Sequence, residues 1–211
     1  MRRLPVYLVL DVSGSMHGEP IEAVRNGMQM LVSTLRTDPY ALETAFLSVI
    51  VFDSTARQLV PLTELMSFQP PSIDAGSTTA LGDALKVTKD CIEREVRKTT
   101  AEEKGDWKPL VFLMTDGQPT DDWKKGLEEF RKIKTGMVIA CAAGPQADTN
   151  ILKQITEVVV SLDTADSSTI GAFFKWVSAS ISTSSKKVDL TKAESSEISE
   201  LPPPPPQINL V

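Results

Sequence analysis

Two aspartates in this chain each close a short apolar run. Asp11 follows Leu4–Leu10 and opens Asp11-Val12-Ser13-Gly14-Ser15, and Asp116 follows Leu110–Met114 within Thr115-Asp116-Gly117. Between them lies Ala75-Gly76-Ser77-Thr78-Thr79-Ala80-Leu81, a loop of small residues that opens onto a helical pattern. Carboxylates and hydroxyls are hard oxygen donors, the ligand type of magnesium, which takes about six oxygens and keeps several as water. In an extended loop Asp11, Ser13 and Ser15 alternate, so their side chains can address one centre, while Gly14 permits the turn and a close approach. A threonine hydroxyl from the 76–81 loop and the Asp116 carboxylate complete the protein's share. Several of these donors are neutral, so a bound cation retains affinity for an external carboxylate. Each motif also has a plainer reading, since Asp and Ser favour helix caps and Asp-Gly is a common turn. Only the combination of both strand-end aspartates with the threonine loop favours the metal.

The rest of the composition narrows the chemistry. The chain has 211 residues, one histidine (His17) and two cysteines (Cys91 and Cys141). That is too few for a disulfide framework or a thiolate zinc site. His17 sits just beyond Ser15 and reads as a solvent-facing loop residue that can lean over the site, and both cysteines read as inert core residues. A net charge of −6 argues against an electrostatically driven nucleic-acid binder. No apolar run reaches the ~18 residues of a membrane span. Neither a Gly-x4-Gly-Lys-Ser/Thr phosphate loop nor a Gly-x-Ser-x-Gly elbow occurs.

The elements that must position these residues alternate. Leu4–Leu10, Ala45–Phe52, Arg57–Leu62, Leu110–Met114, Met137–Ala142 and Val158–Ser161 read as strands. Asp53-Ser54-Thr55 is short enough to turn a hairpin between the second and third. A helix starts at Glu19, with Pro20 in its first turn and Ile21, Val24, Met28, Leu31, Val32 and Leu35 on one face, and Thr37-Asp38-Pro39 stops it. Further helical stripes run through Leu81–Val96, through Trp123, Leu127, Phe130 and Ile133, through Asn150–Ile155, and through Ile170, Phe173, Phe174, Val177 and Ile181. This alternation implies an α/β fold: a doubly wound, mostly parallel sheet with one antiparallel edge strand and helices on both faces. Such sheets bind ligands outside the carboxyl ends of their strands, where strand order reverses. Met1-Arg2-Arg3 before an apolar stretch mimics a signal peptide, but Asp11 follows directly without a small-x-small cleavage site, so a buried first strand and a cytoplasmic protein are expected. The globular unit is expected to end near residue 182. A polar, Pro-rich, exposed tail over 183–211 would follow, whose Ile208, Leu210 and Val211 could instead add a strand to an exposed edge.

Asp11-x-Ser13-x-Ser15, a threonine ahead of a helix and Thr115-Asp116-Gly117 together resemble the metal-ion-dependent adhesion site of von Willebrand factor type A domains. The resemblance spans residues 4–182. It implies a doubly wound fold that holds a divalent cation, Mg2+ first with Mn2+ or Ca2+ as alternatives, and captures an Asp or Glu of a partner protein through it. The family's Gly-x-Thr-x-x-Gly-x-Ala-Leu loop aligns with Ser77 to Leu85 and gives Thr79 as the ligand, with Thr78 as the alternate; Ser77 stands where the family has glycine. The ligand set implied is Asp11, Ser13, Ser15, Thr79 and Asp116, with Gly14, His17, Thr78 and Gly117 as neighbours of the ion or contacts to the partner. The chain is also similar to the bacterial tellurite-resistance TerY type. That implies a non-enzymatic role in tellurite resistance or stress response, beside partners resembling a metal-dependent protein phosphatase and a protein kinase. The competing reading is a haloacid-dehalogenase-like phosphohydrolase, which needs a second aspartate where Ser13 stands, since a serine hydroxyl cannot do that proton transfer at neutral pH.

Overall fold

The first strand, β1 (Leu4–Asp11), is buried along its whole length, which is why its sequence runs apolar without alternation. Side chains still alternate by face. Val6, Leu8 and Leu10 join one core cluster, whereas Tyr7 and Val9 join another on the opposite side of the sheet. The computed structural model describes residues 2–190 and 201–211. Within them β1 is followed by a single 3-10 turn (Gly14–Met16), α1 (Glu19–Leu35), α2 (Pro39–Thr44), β2 (Ala45–Phe52), β3 (Ala56–Glu64), α3 (Leu81–Glu95), β4 (Leu110–Thr115), α4 (Trp123–Phe130), β5 (Met137–Ala143), α5 (Thr149–Ile155), β6 (Val158–Leu162), α6 (Ser167–Leu190) and β7 (Asn209–Leu210).

The sheet has seven strands in the order β3-β2-β1-β4-β5-β6-β7. β1 pairs in parallel with both β2 and β4, and β5 and β6 continue the parallel run. Winding goes outward from β1 to β2 and β3, then returns through α3 to β4 on the other side, so strand order reverses between β1 and β4. Helices α1, α2 and α6 cover one face through Val24, Leu31, Ala41, Phe173 and Phe174. Helices α3, α4 and α5 cover the other through Leu85, Leu127, Phe130 and Leu152. Each of these side chains larger than alanine, once fully buried, contributes about 1.5–3 kcal/mol. The expected doubly wound sheet and the antiparallel hairpin strand β3 are therefore present, with the ends of β1 to β6 within about two residues of those read from the pattern.

Three details differ from the sequence reading. Asp38 and Pro39 do more than stop α1: Asp38 caps the amides of Tyr40 and Ala41, and Pro39 occupies the first turn of α2, a helix too short to show a periodic stripe. Helix α4 ends at Phe130, so Ile133 packs half-buried beyond the helix rather than on its face. The largest difference is C-terminal. Residue 182 lies inside α6, which continues to Leu190, and Ser185 within it is fully buried. The polar stretch expected over 191–200 lies outside the described residues, but 201–211 return to the domain instead of standing free.

That return uses the prolines within their limits. They cannot donate hydrogen bonds, yet their carbonyls accept, and the Trp176 indole N–H donates to the Pro202 carbonyl at 2.8 Å. Leu201 packs on the core beside α6. Ladder pairing begins only after the last proline: Asn209 and Leu210 lie antiparallel to Ser161 and Val160, the Val211 amide donates to the Val159 carbonyl at 3.1 Å, and Ile208 is buried. β7 is thus a second antiparallel edge strand, and Ile208 is its main apolar anchor. Replacing Ile208 with Asp should release it. Hydrogen exchange at the Val211 amide should then rise towards the solvent rate while β1 and β4 stay protected. Losing about 2 kcal/mol of burial should lower Tm by about 4–8 °C in calorimetry.

Candidate functional site

The site lies at the carboxyl ends of β1 and β4, the two central strands. Their register pairs Leu10 with Met114, which sets Asp11 beside Thr115 one step further on. The Thr115 hydroxyl donates to Asp11 Oδ2 at 2.5 Å, and the Ser13 backbone N–H donates to Asp11 Oδ1 at 2.8 Å. Both oxygens of a carboxylate that no solvent touches are therefore engaged by donors fixed to the sheet. From there the cluster extends outward. Ser13 Oγ and Ser15 Oγ share a hydrogen bond at 3.1 Å, and the Ser15 hydroxyl donates to Asp116 Oδ1 at 2.7 Å. Ser13 and Asp116 are buried, whereas Ser15, on the 3-10 turn, opens to solvent.

Thr79 enters from the loop ahead of α3. A Cβ placed on Gly117 would sit 3.4 Å from Thr79 Oγ1 and 4.0 Å from Ser15 Oγ, so these hydroxyls converge over Gly117. Thr79 is buried and Thr78 exposed, the order of preference taken from the loop pattern. Backbone contacts hold this loop against the first one: Gly14 N–H donates to the Ser77 carbonyl at 2.9 Å and Gly76 N–H to the Val12 carbonyl at 2.5 Å. At Gly14 a Cβ would lie only 3.1 Å from the Ser77 carbonyl oxygen, which explains glycine at the centre of Asp11-x-Ser13-Gly14-Ser15. His17 is exposed past the 3-10 turn, its backbone N–H donating to the Gly14 carbonyl at 3.2 Å.

Asp11, Ser13, Ser15, Thr79 and Asp116 are thus brought together, with Gly14 and Gly117 as close packing points and with Thr78 and His17 on the exposed rim. Sequence reasoning missed Thr115 as a participant. It was read only as part of the Thr-Asp-Gly motif, and its role follows from strand register, which no local pattern reports. The Tyr7 hydroxyl, Glu95 and Gln58 form a separate polar network between β1, α3 and β3, and the two cysteines are free and buried as expected.

The clustered acids and hydroxyls lie on loops at the switch point of a doubly wound sheet, the place where such folds bind their ligands. The chain belongs to the von Willebrand factor type A domain family, whose model matches residues 6–175. An uncharacterised protein of Synechocystis sp. is 32% identical over 124 residues, 56% of this chain and 26% of that relative, so the chain spans about a quarter of its length. Among solved structures, proximal thread matrix protein 1 of the mussel byssus, described with a zinc-occupied MIDAS motif, is 19% identical with a TM-score of 0.60, over 84% of this chain and 48% of that one. The pilus adhesin SpaC of Lactobacillus rhamnosus GG is 15% identical with a TM-score of 0.67, over 87% of this chain and 31% of that one. The ArnB paralog VWA2 of Sulfolobus acidocaldarius is 16% identical with a TM-score of 0.60, over 85% and 45%. At these identities the likeness is one of fold.

Burial dominates the electrostatics. It pushes the Asp11 carboxyl up to about 6, against the lowering effect of bonds from Ser13 and Thr115, and the Asp116 charge adds to the rise. Burial also raises Asp116, opposed by the Ser15 and Ser13 hydroxyls. Among the described residues the hydrogen-bond partners of both carboxylates are hydroxyls and amides, not cationic side chains. A carboxyl whose folded pKa is raised makes folding less favourable as pH rises. The folded protein binds the proton more tightly than the unfolded chain, so the penalty is absent below about 4 and complete above about 6. Asp11→Asn removes the charge but keeps an acceptor for Ser13 and a group able to bond Thr115. In EDTA its Tm should exceed that of the wild type at pH 7.5. The gain should disappear at pH 4, as read by thermal melts across that range.

Proposed function

We propose that Asp11, Ser13, Ser15, Thr79 and Asp116 hold one divalent cation and that the protein is a non-enzymatic interaction module whose cation captures an aspartate or glutamate of another protein. The observation that carries this reading is the clustering of two buried carboxylates and three hydroxyls, with no cationic side chain, among the described residues, bonded to either acid. Burying acids without a counter-charge is costly, and an ion drawn from solution supplies that charge. All five donors are hard oxygens, the preference of Mg2+, with Mn2+ or Ca2+ next. When bound, the ion acts as a Lewis acid toward an incoming carboxylate.

The chain's own groups divide the remaining work. Thr115 and the Ser13 amide fix the orientation of Asp11, the most buried donor. Ser13 and Thr79 present neutral hydroxyls, so the ion's charge is not quenched by ligands alone. Ser15, the exposed donor, stands at the side from which a partner arrives, with His17 and Thr78 on the rim to read its surroundings. The finer reading follows the resemblance to the TerY type: a cytoplasmic role in tellurite resistance or stress response, with a metal-dependent protein phosphatase and a protein kinase as partners. The two free, buried cysteines suit a reducing compartment, and among the described residues no helix is long and apolar enough to cross a membrane. A net charge of −6 favours protein over nucleic acid as the partner.

Mg2+ or Mn2+ at a hundred times its Kd should add about 2.7 kcal/mol to wild-type stability, a rise in Tm of roughly 5–10 °C. Asp116→Ala should retain the circular dichroism spectrum and lose this response. Metal and partner affinities are reciprocal. Material co-purified from native cells with wild type should therefore be absent with Asp116→Ala, and absent with wild type in EDTA. Retention of the same partners in EDTA would replace the captured-carboxylate mechanism with a metal-free surface contact.

A further inference from the structure

Helix α3, which follows Thr79, begins without a cap of its own: its N-cap residue is Ala80, whose side chain makes no capping bond. The cap comes from another loop. Asp121 Oδ1 accepts the Gly82 amide at 3.0 Å and Oδ2 accepts the Asp83 amide at 2.8 Å, so one carboxylate spans two orphan donors at the positive end of the helix. One residue earlier the exchange continues. The Thr79 amide donates to Thr120 Oγ1 at 3.1 Å and the Thr120 amide donates to the Thr79 carbonyl at 2.8 Å. Thr120 and Asp121 belong to the loop that starts at Asp116, so the same few residues carry one candidate ligand and grip the segment carrying another. Two glycines keep this grip in register. A Cβ on Gly126 would fall 2.1 Å from the Gly82 carbonyl oxygen, and one on Gly82 would fall 2.7 Å from the Asp122 carbonyl oxygen. The start of α3 and the start of α4 are therefore in main-chain contact.

We infer that Asp121, assisted by Thr120, is a positioning residue of the cation site: its carboxylate locks the Thr79 loop to the Asp116 loop, so that the two donors move as one unit. The inference rests on the cation reading above. Asp121 does not belong to the converging cluster and acts through Thr79. Mg2+ and Mn2+ demand closely defined oxygen positions, and Thr79 has no strand of its own to fix it, unlike Asp11. Removing an outer partner of a metal ligand typically weakens binding by about 10–100-fold.

The test compares the full chain with Asp121→Ala, Thr120→Val and Asp148→Ala, titrating Mn2+ alone and following the free ion by electron paramagnetic resonance. Asp148 is the control because it caps α5 in the same manner, accepting the amides of Asn150 and Ile151, far from the site in sequence. Loss of either cap should lower the metal-free Tm by about 2–4 °C. Only Asp121→Ala should also weaken Mn2+ binding, by about tenfold or more, with Thr120→Val shifting it in the same direction. Thr120 is exposed, so its variant decides the matter if Asp121→Ala does not fold. Wild-type affinity in the Asp121 and Thr120 variants, with only the melting temperature lowered, would leave Asp121 a plain helix cap and overturn the inference while the cation reading stands. Absence of Mn2+ binding in the wild type itself would instead remove the cation reading, and the positioning role with it.

Discussion

A carboxylate placed where no water reaches it must find its hydrogen bonds inside the protein, and Asp11 at the end of β1 imposes that demand on everything around it. An ionised acid in such a place costs several kcal/mol unless its oxygens are satisfied. The sheet answers with two donors of fixed position, the Ser13 amide on the same chain segment and the Thr115 hydroxyl on β4. The second is available only because β4 pairs directly with β1, so the reversal of strand order is what makes the buried acid tolerable. The same reversal leaves the crevice into which the following loops fold.

Those loops have little regular structure, yet they are tied to one another rather than to solvent. Val12 and Gly14 share backbone bonds with Gly76 and Ser77, and Thr79 is tied to Thr120 by one backbone bond and one from its amide to the Thr120 hydroxyl. Backbone bonds therefore join the Asp11 loop to the Thr79 loop and the Thr79 loop to the Asp116 loop, three segments from parts of the sequence far apart. At the opposite end of the sheet the anchoring differs in kind. Arg3 pairs with the Asp106 carboxylate at 2.5 Å, Arg2 stacks on Trp107, and the Tyr7–Glu95–Gln58 network binds β1, α3 and β3. Charges there are matched by side chains, whereas at the candidate site they are not.

Much of this was legible in the sequence. The apolar runs of β1 and β4, each ending in aspartate, announced buried parallel strands and the edge at which a site would form. The 3.6-residue stripe of α1 and the Asp53-Ser54-Thr55 turn were equally plain, because each is a local signal. What stayed hidden depends on contacts between distant residues. Thr115 looks like any strand threonine until register sets it beside Asp11, 104 residues away. Asp121, like Asp53, Asp83 and Asp122, reads equally as an outer neighbour of the site or a surface acid until the loop brings it onto the first turn of α3, 38 residues back. α2 escaped notice because six residues complete fewer than two turns and show no periodicity. The pattern of Ile208, Leu210 and Val211 left an edge strand open beside a free tail, and the proline run before it weighed toward exposure although its carbonyls still accept.

The direction of β7 has a consequence for how the domain can be held. It runs antiparallel to β6, so Val211 lies beside Val159, which the registers of β5 and β4 set level with Val9, two residues below Asp11. Residues 2 and 3 precede β1 at the opposite end of the sheet. β7 therefore heads away from Asp11 and Asp116, toward the pole at which β1 starts. Held through the segment ahead of β1, the domain would present its acidic cluster outward like a flag on a mast, with β7 running back toward the anchor.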